Sequence, residues 1–330
     1  MRYARHIAAS GAALLAVTAA ACSSTPSSGS GGATSSTSAG VTNVTVGYVP
    51  YSDDAALFYA QDSGIFRSRG LNVSFVPQAS PVAVEASMAS GTEQFGFITV
   101  PVLINLNSKG VPVKCVSSVD GNQPGDAAHD STVLVAAKGS GITSIAGLAG
   151  KNVAEVQLTS LNSLAVQVLA KRAGIDPKSI HQIAMPFPQM AAALAQGRVQ
   201  AAVIVSPFTA AALADGATVL THPNVELFPN GTVTCLDAMG SYISAHPSVV
   251  AAFRAAMNES IAYTKTHQSA AKATLVQHLN LTPAVAQKVT LATNWDPTLN
   301  PATITQIEGY MKQYGMITSE PPAASMIWNP

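Results

Sequence analysis

One supersecondary pattern occurs twice in this chain at an offset of 106 residues. The first copy runs Ala89-Ser90-Gly91-Thr92-Glu93-Gln94-Phe95-Gly96-Phe97-Ile98-Thr99-Val100-Pro101. The second runs Ala195-Gln196-Gly197-Arg198-Val199-Gln200-Ala201-Ala202-Val203-Ile204-Val205-Ser206-Pro207, so that Gly91 aligns with Gly197, Gln94 with Gln200 and Pro101 with Pro207. Each copy reads as an Ala-rich helix stopped by Gly, a short apolar strand, and a hydroxyl-bearing loop that opens into a helix. A chain that builds one α/β unit twice is directed toward two similar lobes, and the cleft between lobes is where small ligands usually sit.

The N-terminal end reads as an export signal over 1–21. Arg2 and Arg5 supply the positive start, and Ile7 to Ala20 is a mostly apolar run too short for a permanent membrane helix. The run ends Ala19-Ala20-Ala21-Cys22, which resembles the lipobox of bacterial lipoproteins, although Ala19 stands where Leu is usual. Cleavage before Cys22 would leave a lipidated N-terminal Cys; ordinary signal cleavage with Cys22 incidental is the alternative. Residues 22–40 hold the lipidated Cys and a linker of Ser, Gly, Thr and Ala with one Pro, which cannot bury enough apolar surface to fold. Directly after a lipidated Cys, such a segment reads as a leash that holds a globular part off the membrane.

Removing 1–21 takes away two of the 17 Lys and Arg and none of the 17 Asp and Glu, which leaves a net charge of −2. That is no footprint for nucleic acid. After the signal, no apolar run is long enough to cross a membrane, so anchoring would rest on the lipid alone. Cys115 and Cys235 remain in the folded part. Outside the cytoplasm a pair invites a disulfide, with two buried free thiols as the alternative. The seven His, at 6, 129, 181, 222, 246, 267 and 278, show no metal-ligand spacing, and neither a metal nor a cofactor is expected.

Along the chain, strands are predicted at Val44 to Val49, Leu71 to Val76 and Phe95 to Ile98. Helices at Ala55 to Asp62, Pro81 to Ala89 and from Pro101 to Lys109 alternate with them. This βαβ order is the signature of a parallel sheet with helices on both faces. Strands follow at Val113 to Val119 and Thr132 to Ala137, with Asp120 to Asp130 as a loop between them. The pattern then restarts. A short helix is expected at Ile142 to Leu148, strands at Lys151 to Val156, Ile180 to Met185 and Ala201 to Val205, and helices at Ser160 to Ala173 and Pro188 to Gln196. Val233 to Ser244 is strand-like, and from His246 onward the chain reads as helical, with Pro247, Pro283 and Pro301 at first helical positions.

The chain resembles a type II periplasmic-type substrate-binding protein of ABC importers. It is most similar to the branch with aliphatic sulfonate, taurine and nitrate binders and the thiamine-pyrimidine-precursor proteins (SsuA/THI5-like, NMT1-like). The matching stretches are Val46-Gly47-Tyr48, Leu57-Phe58-Tyr59-Ala60, Gly64-Ile65-Phe66, Gly70-Leu71-Asn72-Val73 and Ser90-Gly91. Gly110-Val111-Pro112-Val113-Lys114, Ser140-Gly141-Ile142, Leu148-Ala149-Gly150-Lys151-Asn152-Val153 and Ala173-Gly174-Ile175-Asp176-Pro177 continue the match. The family often has Asp where Gln94 and Gln200 stand, and Glu where Ser206 precedes Pro207. The resemblance implies a two-lobed α/β fold, each lobe a mainly parallel sheet flanked by helices, with two hinge strands and a helical C-terminal region. Lobe 1 would begin at 41–131, lobe 2 would cover 132–235, and 236–330 would return to lobe 1 and add the C-terminal helices. Cys115 and Cys235 would then both lie near the hinge crossings, where a bridge is geometrically plausible.

In such sheets, ligands bind beyond the carboxyl ends of the strands, where helix N-termini offer free N–H groups and partial positive charge. Five loops meet that description: 48–54, 79–81, 99–102, 157–162 and 205–209. They hold no Lys or Arg. The candidate ligand-binding residues are Tyr48, Tyr51, Ser52, Asp53, Ser80, Thr99, Val100, Thr159, Ser160, Asn162, Ser206 and Phe208. An anionic group would be held by hydroxyls and backbone N–H, whereas Asp53 and Asp54 could pair with an amine; together they point to a zwitterionic or neutral polar molecule. Each has a plain structural alternative: helix caps for Ser80, Thr159 and Ser160, a cap and solvated turn for Asp53 and Asp54, and core for Tyr48 and Phe208. Trp295 reads as a structural anchor or as a stacking surface.

The sequence lacks G-x-S-x-G, H-E-x-x-H and P-loop patterns, and no enzyme is expected. A related pyrimidine synthase uses this fold for catalysis but is intracellular, contrary to the export signal. The expected partners are a small polar solute, an ABC permease with its ATPase, and the membrane through the lipid anchor. The protein is expected to be a monomer on the extracytoplasmic face of the cell membrane. The alternative is a sensing lipoprotein that reports its ligand to a membrane partner without transport.

Overall fold

The structure, a computed structural model, describes residues 40–229 and 231–330. The expected export signal, the lipidation at Cys22 and the linker as far as residue 39 lie outside the described residues.

Within them the strands are β1 (Thr42–Tyr48), β2 (Leu71–Pro77), β3 (Phe95–Thr99), β4 (Val113–Ser118), β5 (Asp120–Gly121) and β6 (Thr132–Ala136). They continue with β7 (Asn152–Glu155), β8 (His181–Ala184), β9 (Ala201–Val205), β10 (Thr218–Thr221), β11 (Thr234–Met239) and β12 (Asn294–Trp295). One sheet has the order β2-β1-β3-β11-β4 and the other β8-β7-β9-β6-β10. The two orders are the same topology. In each, the first three strands pair in parallel and the fourth runs antiparallel to both neighbours. That fourth strand is in each case the one entered after the chain has crossed over: β6 follows the first crossing and β11 the second. The sequence repeat is the centre of this symmetry, since β3 and β9 are offset by 106 residues at both ends. β9 is buried throughout and β3 nearly so, as strands covered on both faces must be.

The helices start and stop where the sequence says. Ser80 caps Pro81–Ser90 by accepting from Ala83 N, and Ser160 caps Leu161–Arg172 by accepting from Ser163 N. Gly91 and Gly197 follow the two Ala-rich helices at φ of +77° and +68°, a conformation that favours glycine. The C-terminal helices Pro247–Thr266 and Gln268–His278 pack on the first half. Phe253 stacks between Phe66 and Phe95 at centroid distances of 5.2 and 3.9 Å, and Ser260 Oγ donates to Ala56 O. Cys115 and Cys235 form a disulfide between β4 and β11, with Cα atoms 5.6 Å apart. Both sulfurs are thereby committed, so the neighbouring Asp237 has no thiolate with which to share a metal.

Three expectations need correction. The strand predicted over Val233 to Ser244 ends at Met239, because Met239 pairs with Val113, the first residue of β4; the helix Gly240–Ala245 follows. The helix predicted from Ile142 is only a 3-10 turn at Ile145–Leu148. The predicted loop from Asp120 begins as a strand, because Asp120 and Gly121 pair with Trp295 and Asn294. That pairing also fixes Trp295, which is 1% exposed and donates from Nε1 to Ala292 O, as an anchor in the core.

Candidate functional site

A cavity of about 40 Å³, partly open to solvent, lies between the two sheets. Its floor is built from the carboxyl ends of parallel strands. Tyr51 follows β1, Thr99 ends β3, Val156 follows β7 and Val205 ends β9, and all four line it. Two helices direct their N-termini at it, Val100–Ser108 from Thr99 and Leu161–Arg172 from Ser160. The remaining wall comes from the two crossing segments, through Asp120, Asn122, Ser131, Thr132, Asn224 and Thr234.

Five of the sequence-predicted residues meet at this pocket: Tyr51, Asp53, Thr99, Ser160 and Asn162. Tyr51 supplies an apolar face, set edge-on to Phe187 at 5.6 Å and to Phe97 at 6.4 Å. The hydroxyl of Thr99 is buried and has no hydrogen-bond partner among the described residues. Ser160 both lines the pocket and caps its helix, with Oγ 3.2 Å from Ser163 N.

The other predicted residues stand behind the lining. Tyr48 packs edge-on against Phe58 and Phe75 in the core. Ser52 is fully buried, and its N–H donates to Ser206 O at 2.9 Å, joining the first half to the second. Ser206 N–H in turn donates to Ser131 O, and the Ser206–Pro207 peptide is cis. Ser80 is a helix cap, and Val100 donates its N–H to Val233 O. Thr159 accepts from Gln157 Nε2 at 2.7 Å, while Phe208 stacks on Phe187 at a centroid distance of 6.1 Å.

The electrostatics are one-sided. Asp53 and Asp120 line the pocket at 8% and 4% exposure, and among the described residues no Lys, Arg or His does. Asp53 Oδ2 accepts from Ser131 Oγ at 2.8 Å, and its Oδ1 from Ser52 Oγ. Asp120 accepts from Thr234 Oγ1. Burial pushes Asp53 up to about 6, and pushes Asp120 well above the carboxylate range, with Asp53 itself adding to the second effect. Asp54, beside Asp53, accepts from Tyr51 N and is also raised by burial. Asp130 sits differently: its oxygens accept from the backbone N–H of Thr132, Asn224 and Val225, so it caps the start of Pro223–Leu227.

Asp120, Asn122, Ser131, Thr132, Asn224 and Thr234 were not among the residues expected from sequence. A rule that looks only at loops following parallel strands passes over them, since they belong to the crossings. The available signal was the polar run from Asp120 to Asp130, set between two apolar strands.

A family model described as NMT1/THI5 like matches residues 52–271. No curated protein sequence matches the chain significantly. Among solved structures, the alkanesulfonate-binding protein SsuA from Xanthomonas axonopodis pv. citri, bound to MOPS, is 18% identical at a TM-score of 0.74, over 87% of this chain and 98% of that one. The periplasmic aliphatic sulphonate binding protein SsuA from Escherichia coli is 21% identical at 0.69, over 87% and 92%. The periplasmic nitrate-binding protein NrtA from Synechocystis PCC 6803 is 14% identical at 0.70, over 86% and 84%. These likenesses show the two-lobed periplasmic-binding-protein fold.

Proposed function

Because the chain belongs to the NMT1/THI5-like family, we propose that it is an extracytoplasmic binding protein that captures a small polar solute between its lobes and delivers it to an ABC permease driven by its ATPase. The carrying observation is the pocket itself, at the carboxyl ends of parallel strands and walled by both halves of the molecule. The structural neighbours, named as binders of alkanesulfonates and of nitrate, support solute binding for import. Thr99 from one half and Ser160 and Asn162 from the other are the residues we assign to the solute, with Tyr51 as its apolar wall. A solute that touches both halves gains contacts on closure that it lacks in the open form, and that difference shifts the population toward the closed state. The signal-like run ending at Cys22 supports a lipid anchor, with the Ser/Gly linker as its leash.

Binding is tested by thermal unfolding of the protein against small sulfonates, amines, pyrimidines, amino acids and oxyanions. A solute at 100 times its Kd adds about 2.7 kcal/mol, which raises the midpoint by several degrees. Thr99→Ala combined with Ser160→Ala abolishes that rise; an unchanged rise would place the solute elsewhere. Anchoring is tested by membrane fractionation, in which Cys22→Ser moves the protein to the soluble fraction.

A further inference from the structure

Resting on that solute-binding reading, we propose that the pocket takes a solute carrying a positively charged nitrogen, held by the carboxylates of Asp53 and Asp120. Both line the pocket, both are more than nine-tenths buried, and among the described residues no Lys, Arg or His lines it with them. Among the described residues their side-chain partners are neutral hydroxyls, those of Ser52, Ser131 and Thr234, and the Asp120 carboxyl also takes its own backbone N–H. Asp130 shows the contrast, since three backbone N–H groups satisfy it and it does not reach the pocket. Two buried carboxylates without a counter-charge are costly, and a solute cation is the group that would complete them.

Independent observations on the same walls point the same way. Asn224, 6% exposed, lines the pocket with Oδ1 unpartnered, an acceptor awaiting a donor. Asn122, also 6% exposed, offers an unpartnered Nδ2, and Thr99 an unpartnered hydroxyl. A solute with N–H donors at one end and an acceptor at the other satisfies all of them. The helix tips at Thr99 and Ser160 favour negative charge, each by about half a unit. Together they offset one of the two carboxylates, so they suit an acceptor at the far end of a cation better than a bare anion such as nitrate.

The protonation balance gives a test of sign. Burial holds Asp53 up to about 6, and holds Asp120 and the adjacent Asp54 well above the ordinary range. The groups packed around them supply no positive charge. Burial raises the Tyr51 phenol and raises Asp130 to about 7, and it lowers His222, at the start of Pro223–Leu227. A bound cation therefore displaces protons, and its affinity rises with pH. An anion held by protonated carboxyls would take protons up, and its affinity would fall with pH.

The experiment is calorimetry on the full-length protein in detergent with matched pairs: taurine against isethionate, ethanolamine against ethylene glycol, 4-aminobutanoate against butanoate, and nitrate alone, each at pH 5.5 and 7.5. The expected result is that at least one amine binds and its amine-free partner does not, with affinity higher at pH 7.5 by up to about a hundredfold for a proton displaced across the whole range, and by less for Asp53, which titrates within it. Asp53→Asn and Asp120→Asn each weaken that amine roughly tenfold to hundredfold. If either variant fails to fold, the pH dependence of the unaltered protein decides. Tighter binding of isethionate, butanoate or nitrate than of any amine, or an amine affinity that falls with pH, overturns the inference and leaves solute binding standing. Absence of binding throughout overturns both.

Discussion

Gln94 and Thr45 are tied in both directions: Gln94 N donates to Thr45 O at 2.9 Å, and Thr45 N donates to Gln94 Oε1 at 2.8 Å. Gln200 and Asn152 repeat the arrangement in the second half, at 2.9 and 3.1 Å. In each half the amide Nε2 then reaches back to the carbonyl of the preceding helix-ending glycine, Gly91 or Gly197. The glutamine thus joins helix end, incoming strand and neighbouring strand at the amino end of the sheet, opposite the pocket. Gln94→Ala or Gln200→Ala is expected to cost about 1–2 kcal/mol, since it removes hydrogen bonds at partly buried backbone groups. Urea unfolding measures this. Solute affinity should be unchanged; a loss of affinity at unchanged stability would contradict the assignment.

This glutamine pair also marks what was legible in the sequence. Periodicity and punctuation at Gly91 and Gly197 gave the α/β units, and the 106-residue offset gave their duplication, because both are local signals. Direction within the sheets was harder. β11 and β6 run antiparallel to their neighbours because each enters from the opposite half, a fact of long-range connection that no local pattern carries. The pocket divides in the same way. Tyr51, Asp53, Thr99, Ser160 and Asn162 follow strands or cap helices and were readable as such. Asp120 and Thr234, 114 positions apart in sequence, meet only once the intervening chain has folded.

The disulfide spans 120 residues of sequence and joins adjacent strands in the first sheet. Closing so long a loop restricts the unfolded chain strongly, and its loss is expected to cost about 2–5 kcal/mol. Cys115→Ala with Cys235→Ala should therefore lower the unfolding midpoint by several degrees, and reductant should do the same to the unaltered protein but not to the double variant. A midpoint insensitive to reductant would count against the bond.

Gly121 lies next to the pocket residue Asp120 in β5, and a Cβ there would fall 2.1 Å from Gly231 O and 2.8 Å from Thr232 Cα. Both obstacles are backbone, so the segment must move rather than a side chain rotate. Gly121→Ala is expected to cost about 1–3 kcal/mol and to weaken solute binding by displacing Asp120. Gly309→Ala is the control: it is exposed on the helix Pro301–Gln313 with nothing within 4 Å, and should add about 0.5–1 kcal/mol without touching affinity. Equal effects of the two changes would remove the argument that β5 positions the pocket.

Several buried carboxyls predict the pH profile of the empty protein. Glu155 and Asp237 are fully buried with no hydrogen-bond partner on either oxygen among the described residues, and desolvation holds both well above their ordinary values. Asp53 and Asp130 are raised from 3.8 to about 6 and about 7, again chiefly by desolvation. A raised carboxyl binds its proton more tightly folded than unfolded, so its stabilising effect is complete below the unfolded value near 4 and is lost as pH climbs through the folded value. Stability should accordingly decline from about pH 4.5 to pH 8, the Asp53 and Asp130 contributions fading through about 6 and 7, with Glu155 and Asp237 adding to the decline in the same direction. Urea unfolding across that range measures the slope. Glu155→Gln, which keeps the shape and removes the ionisation, should flatten it and gain stability at pH 8 relative to the unaltered protein. A profile that rises with pH would mean that these carboxyls are ionised and paired in the folded state. A bound amine should produce that reversal for Asp53 and Asp120 alone, leaving the contributions of Glu155 and Asp237 in place.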